Sequence, residues 1–277
     1  MNAPPRDQGA TPLPPHPHLD RYYSGGEQGR RSFVRSIFDG TASDYDRVER
    51  FMALGSGSWY RRKALERAAL RPGDRVLDVA MGTGLVAREA IEITGDPGAV
   101  IGLDPSVGMV AQARRSLSNP ALLAVGEAIP ARDGSFDLLS MGYALRHLSD
   151  LAVTFREFHR VLRPGGRVLI LEMTPPRSAL GRALLRAYVR GVVPVLARPL
   201  MRSSDTGFLW QYFWDTVEKC VPPAEILDAL ESVGFVNVRR TLVIGMFSEY
   251  TGVKPGPGVA VEPLRPGGTL FERVMPR

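Results

Sequence analysis

Apolar positions along the chain alternate between short continuous runs and longer stretches with helical spacing. Arg75-Val76-Leu77-Asp78-Val79-Ala80 is a short apolar run that leads into glycines, the pattern of a buried strand. Residues 84–93 then read as a helix, and Ala99-Val100-Ile101-Gly102-Leu103 as a second strand. Residues 106–117 predict a helix with Ser106 as its N-cap, because a serine hydroxyl can accept a bond from an unpaired N–H of the first turn. Leu122-Leu123-Ala124-Val125 and Phe136-Asp137-Leu138-Leu139-Ser140-Met141 predict strands three and four. Residues 150–162 form an amphipathic helix closed by Pro164-Gly165-Gly166, and Arg167-Val168-Leu169-Ile170-Leu171 follows as strand five. After Pro222-Pro223 comes a helix at 222–233, then strands near 235–243 and 245–251. Strands that alternate with helices imply a parallel sheet covered on both faces, with ligands at the carboxyl ends of its strands.

Two stretches depart from this rhythm. Residues 175–220 are helical and aromatic, carry Pro194 and Pro199, and are expected to form an insertion over the active site. The ends are rich in proline and glycine. Residues 1–20, with His16 and His18, are expected to be a disordered tail, and residues 254–277 a second, flexible one. One domain is expected over residues 21–253, with the helical lid at about 175–220.

Composition narrows the class. Hydrophobic residues make up 44% of 277, enough for a full core. No 18-residue uncharged apolar run occurs, so no membrane span is predicted. Met1-Asn2-Ala3-Pro4-Pro5 lacks the basic and apolar regions of a secretory signal, and Cys220 is the single cysteine. Both suit a reducing cytoplasm. No Cys/His cluster has metal-ligand spacing, so no metal is expected. The net charge is +6 and the pI about 9.8, which calls for an acidic partner or reflects an arginine-rich proteome. No basic block is interleaved with aromatics, which argues against nucleic acid.

Asp78-Val79-Ala80-Met81-Gly82-Thr83-Gly84 joins the first strand to the first helix. Glycines there let the backbone turn sharply and approach a ligand, and the helix start adds free N–H groups. Gly82-Thr83-Gly84-Leu85-Val86-Ala87 also fits a dinucleotide fingerprint, with Asp104 about twenty residues on. Three features favour another ligand. A carboxylate at Asp78 repels a pyrophosphate and suits a cationic group. A single glycine pair leaves little room for two phosphates. The Leu162-Arg163-Pro164-Gly165-Gly166 turn is not called for by a dinucleotide site.

Together, Asp-x-x-x-Gly-x-Gly, an acidic end to strand two at Asp104, Phe136-Asp137 in strand four and the Leu-x-Pro-Gly-Gly turn resemble class I S-adenosyl-L-methionine-dependent methyltransferases. More narrowly, the chain resembles the ubiquinone/menaquinone biosynthesis C-methyltransferases over residues 33–250. The resemblance rests on Phe38-Asp39, Ala42-Ser43, Tyr45-Asp46, Gly82-Thr83-Gly84, Ala144-Leu145-Arg146-His147, Val161 to Arg167, and Glu172. It implies an α/β fold: a Rossmann-like, doubly wound, mostly parallel seven-stranded sheet with an antiparallel C-terminal strand. It implies S-adenosyl-L-methionine as cofactor, held by Tyr45, Asp78, Gly82, Thr83, Gly84, Asp104, Pro105, Val125, Gly126, Glu127 and Gly142. The chain differs from the family at Met81, usually glycine, at Val125, where an acid or amide normally meets adenine, and at His147, usually asparagine.

Each residue carries a plainer alternative. Asp104 either accepts bonds from two ribose hydroxyls or caps the next helix. Asp78 either orients the cofactor loop and its amino group or is a turn residue. Tyr45 covers the methionine end or packs a helix. Arg146 and His147 are the catalytic candidates. Arg146 could hold a phenolate oxygen, and His147 could take a proton near neutral pH. Otherwise Arg146 pairs with a carboxylate and His147 caps a helix. Trp210, Tyr212, Phe213 and Trp214 line an apolar pocket or form lid core. Arg182, Arg186, Arg190, Arg198 and Arg202 make one face of a helix over 180–202, either solvated or laid peripherally on the inner face of the membrane. A homodimer is the other partner considered.

The expected activity is C-methylation of a quinol or phenolic lipophilic acceptor. Alternatives are a small-molecule O- or N-methyltransferase and a quinone-modifying relative that transfers another group. From a different class come an NAD-dependent dehydrogenase and a non-catalytic cofactor-binding subunit.

Overall fold

The computed structural model describes residues 13–52, 55–193, 195 and 205–260. Helices α1 (Gly26–Met52) and α2 (Gly57–Arg67) precede the sheet. The sheet then builds as β1 (Val76–Val79), α3 (Leu85–Thr94), β2 (Val100–Asp104), α4 (Val107–Ser116), β3 (Ala121–Leu123), β4 (Phe136–Gly142), α5 (Leu151–Val161) and β5 (Leu162–Met173). The lid contributes α6 (Ala179–Ala187), a π-helical turn at Tyr188–Val192, and α7 (Asp205–Lys219). Helix α8 (Pro223–Ser232) and strands β6 (Val236–Val243) and β7 (Phe247–Val253) complete the fold.

Strand order is β3-β2-β1-β4-β5-β7-β6, with β7 antiparallel to both neighbours and the other pairs parallel. This is the expected Rossmann-like class with its antiparallel C-terminal strand. The chain winds outward in opposite directions from β1 and β4, so the crevice lies at their carboxyl ends. Val79 pairs with Leu103 on one side and Met141 on the other. The next residues, Ala80, Asp104 and Gly142, therefore emerge at one level.

The strands are buried on both faces, and their side chains alternate between two cores. Leu77, Leu139 and Ile170 pack with Phe155 and Phe158 of α5. Val76, Leu138 and Leu169 pack with Leu65 of α2 and Ala90 of α3. Pro164-Gly165-Gly166 was expected to form a turn before strand five. It lies instead within β5, which begins at Leu162 and slips register against β4 between Phe136 and Leu138.

Residues 13–20 correct the expectation of a loose tail. The Leu13 and Pro15 carbonyls accept bonds from the N–H groups of Leu151 and Val221, both at about 2.8–2.9 Å. Leu19, Tyr22 and Tyr23 bury against Val34 and Tyr212, and His16 is also buried. Aromatic burial supplies the driving force that the composition hid. Tyr22 donates to Asp215 of α7 at 2.6 Å, so this strap fastens the lid. Lys254, at the start of the second expected tail, donates to the carbonyls of His159 and Leu162 at 2.7 and 2.8 Å. Residues 1–12 and 261–277 lie outside the described residues, as do Pro194, Arg198, Pro199 and Arg202 of the lid.

Candidate active site

A cleft enclosing about 1260 Å³, open mouth included, lies at the carboxyl ends of β1, β2 and β4. The turn after β1 forms its floor. Gly82 and Gly84 adopt φ of +57° and +88°, a left-handed conformation that costs a glycine little. Ala80 and Tyr143, which follow β1 and β4, also hold positive φ, at +53° and +59°. Both residues stand in the cleft wall, where this uncommon backbone conformation aims their peptide groups. Gly84 does not line the cleft. It sits at the N-cap of α3 and its N–H closes the turn onto the Met81 carbonyl at 2.9 Å.

Two carboxylates face this floor. Asp104 Oδ2 accepts the Gly82 N–H at 2.9 Å and Oδ1 accepts the Ser106 N–H at 2.8 Å. Its side chain therefore ties the glycine turn to the start of α4, while Ser106 itself caps that helix through the Met109 N–H. Burial pushes the Asp104 carboxyl up to about 6. Asp78 accepts from the Ser140 hydroxyl at 2.7 Å and the Ala87 N–H at 3.1 Å, locking β1 to β4 and α3. Burial pushes it up to about 7. A cation or a set of hydroxyl donors beside these acids would favour their charged forms.

Helix α1 closes the cleft from above. Asp39 accepts from the Ser106 hydroxyl at 2.5 Å and the Gly108 N–H at 2.8 Å, and Asp46 accepts from the Thr83 hydroxyl. These two acids clamp α1 to the start of α4 and to the glycine turn. Tyr45 lines the cleft one residue away from the second clamp. Pro105, Val125, Gly126, Glu127 and Gly142 complete the predicted lining. Side chains at two of these positions would intrude, since a Cβ on Gly142 would lie 2.8 Å from Val86 and one on Gly126 3.1 Å from Val79. Glu127 is held by the Ser149 N–H at 2.8 Å.

Met81 replaces the family's glycine without blocking the cleft. Its side chain folds over Gly102 of β2, where an added Cβ would meet the Met81 sulfur at 2.0 Å. The absent side chain at Gly102 makes the room that Met81 fills.

Arg146 and His147 part company. Arg146 is fully buried and ion-paired with Glu172, donates Nε to the Thr216 hydroxyl at 3.2 Å, and lies 4.7 Å above the Phe213 ring. The carboxylate-pair alternative is thus realised, and Arg146 is absent from the main cleft wall. His147 lines that wall. It does not cap a helix. Its ring is stacked with Tyr212 at 5.6 Å and edge-on to Phe38 at 5.1 Å. Burial, then the charges of Arg146 and Arg30, hold the imidazole well below its ordinary range, so it is neutral at neutral pH.

A smaller recess, about 360 Å³ with its open mouth included and narrow inside, adjoins the cleft, and Phe38, Tyr45, Tyr143 and His147 line both. Trp210, Tyr212, Phe213 and Arg146 form its far wall. The Trp210 indole N–H is buried and has no hydrogen-bond partner among the described residues.

Sequence reasoning missed Arg61 and Tyr143. Arg61 is buried in the cleft wall and pairs with Glu49 of α1, a partner that only packing reveals. Tyr143 is marked by its φ, which no sequence pattern discloses. Among the described residues, no helix is long and apolar enough to cross a membrane, and no cluster of ligands could hold a metal.

The fold and cleft define a class I methyltransferase architecture. An S-adenosylmethionine-dependent methyltransferase from Thermotoga maritima shares it at a TM-score of 0.56 and 20% identity, over 80% of this chain and 99% of that one. A phosphoethanolamine N-methyltransferase from Haemonchus contortus does so at 0.59 and 16%, over 83% and 61%. The sequence pattern of the ubiE/COQ5 methyltransferase family matches residues 26–254. A ubiquinone/menaquinone biosynthesis C-methyltransferase from Geobacter sulfurreducens is 34% identical over 82% of this chain and 90% of its own. A demethylmenaquinone methyltransferase from Mycolicibacterium vanbaalenii is 30% identical over 80% and 94%. The chain belongs to the ubiE/COQ5 family and is an S-adenosyl-L-methionine-dependent methyltransferase. The cleft suits that cofactor, having bare glycine backbone, two buried acids and a closing tyrosine.

Proposed function

We propose that the protein methylates a ring carbon of a quinol or related lipophilic phenol. The observation that carries this reading is the aromatic recess joined to the cofactor cleft across His147. Aromatic side chains of the recess, Phe38, Tyr45, Tyr143, Tyr212 and Phe213, offer flat apolar walls against which a ring would pack once the recess widens to admit it. The names of the relatives from Geobacter sulfurreducens and Mycolicibacterium vanbaalenii point to the same chemistry.

The cofactor supplies a methyl group activated by a sulfonium. In this reading, Asp104 accepts the ribose hydroxyls, and Gly82 and Thr83 present backbone to the amino-acid end with Asp78 behind them. Pro105, Val125, Gly126 and Glu127 border the base, where Glu127 or backbone groups serve in place of the family's acid or amide. Gly142 leaves the floor open, and Tyr45 covers the methionine end. Neutral His147 takes the phenolic proton, which raises electron density on the ring carbon. The bound cofactor would supply its methyl to that ring carbon, the sulfur keeping the electron pair of the bond it gives up. The ring hydrogen would then leave as a proton to solvent, restoring aromaticity, while protonated His147 returns its proton to the ring oxygen. Arg146, already paired with Glu172, holds the recess wall rather than the oxygen.

The test is transfer of labelled methyl to a demethylated quinol with a short side chain, with the product's methyl located by NMR. Methylation on carbon, with the reduced acceptor only, is expected. Transfer to oxygen or nitrogen instead would assign the protein to the alternative methyltransferase class.

A further inference from the structure

The chain's net charge is concentrated in one segment. Residues 174–204 contain six arginines and no Asp, Glu or Lys, while the whole chain carries 35 basic and 29 acidic residues, a difference of +6. The remaining residues therefore sum to zero. In the described part of that segment, Leu185, Val189 and Val193 face inward against the lid core. Leu180, Leu184, Val192 and Val195 face outward, and the first two are 71% and 62% exposed. This helix thus has two apolar faces, and among the described residues only one is packed against the fold. Its arginines run between them. Arg186 is paired with Glu218 and Arg190 reaches Asp215 at 3.9 Å, whereas Arg182 bonds the Arg177 carbonyl and has no carboxylate within 4 Å among the described residues.

The turn between β6 and β7 stands beside this helix, because Met246 packs on the cluster of Leu185, Val189 and Trp214. At its tip Ile244 is 77% exposed and holds a φ of +52°. That conformation is unfavourable for a β-branched residue, and nothing in the folded core uses the side chain it displays.

We propose that the outward face of residues 179–195, together with the Ile244 turn, docks on an anionic lipid bilayer and lies in its headgroup region. Apolar side chains set beside the exposed arginines of this helix, of which Arg182 has no carboxylate partner among the described residues, suit an interface with hydrocarbon below and anionic headgroups around it. A second copy of the chain fits this face poorly. A two-fold contact would oppose two arginine rows from a segment with no carboxylate of its own.

The full chain is tested by co-sedimentation with vesicles of phosphatidylcholine alone and with phosphatidylglycerol added. Binding is expected only to the second kind, and to weaken with salt. Arg182→Gln should lower the partition by about five-fold, the increment of one basic residue near a charged surface. Leu180→Asn with Leu184→Asn should abolish it while leaving thermal unfolding and cofactor affinity unchanged. Ile244→Asn, which suits the left-handed turn and cannot harm the lid core, should weaken it independently. Failure of the wild-type chain to bind anionic vesicles would overturn the proposal. So would a dimer, seen by light scattering, that the leucine pair disrupts.

Discussion

Tyr212 lies stacked on His147, with ring centroids 5.6 Å apart, planes 22° from parallel, and the phenol oxygen 3.4 Å from Nδ1. The strap residue Tyr22 packs edge-on against the same Tyr212 at 5.2 Å. Burial by these rings, more than any single charge, keeps His147 neutral.

A neutral His147 has consequences for pH dependence. Its folded pKa lies well below 6.5, so the imidazole stays unprotonated as pH falls through 6.5. At saturating cofactor the pH–rate profile should be flat there and should drop only at clearly lower pH. The stability contribution has the matching sign: full above pH 6.5, and lost below it as the unfolded chain takes up the proton first. His147→Ala should lower turnover by about 10²-fold or more if it is the base. Calorimetry should show unchanged cofactor affinity. Wild-type turnover in that variant would remove His147 from the mechanism.

Asp104 makes cofactor affinity depend on pH. Its carboxyl titrates near 6 in the free protein, and donors from a ligand favour the ionised form. Affinity should be greatest above pH 7 and should fall as pH drops through 6, with protons increasingly released on binding as it does so. Titration in buffers of different ionisation enthalpy measures that release. Asp104→Ala should weaken binding by about 1–3 kcal/mol.

Arg146 and Glu172 form a buried pair, and the second Glu172 oxygen has no partner among the described residues. Burial raises the Glu172 carboxyl and the guanidinium opposes that rise. Arg146→Ala should therefore destabilise the fold by about 3–5 kcal/mol by leaving a buried acid unmatched. Adding Glu172→Gln should recover part of the loss. Chemical denaturation separates this effect from any loss of turnover.

Met81 and Gly102 are coupled sterically. Gly102→Ala drives a Cβ into the Met81 side chain and should cost about 1–3 kcal/mol. Combined with Met81→Ala, the cost should be clearly less than the sum of the two single changes. Additive costs would mean that the two positions do not share space.

The local chemistry of this protein was legible in its sequence. Strand runs, the glycine turn, Asp104 at the end of β2 and the Ser106 cap depend on neighbours a few residues away, and there periodicity and backbone preference suffice. The family resemblance named residues that mostly line the cleft at strand ends; Tyr45 reaches it from α1, and Gly84 lies outside the lining. Tertiary structure alone decided the long-range pairs. Arg146 met Glu172 rather than a substrate, Arg61 met Glu49, Asp46 reached Thr83, and a proline-rich N-terminal segment became a strap because its tyrosines found Tyr212 and Asp215. These contacts join elements between 12 and 193 residues apart. A buried charge takes its partner from whatever packing brings within a few ångströms, and no spacing along the chain records that distance.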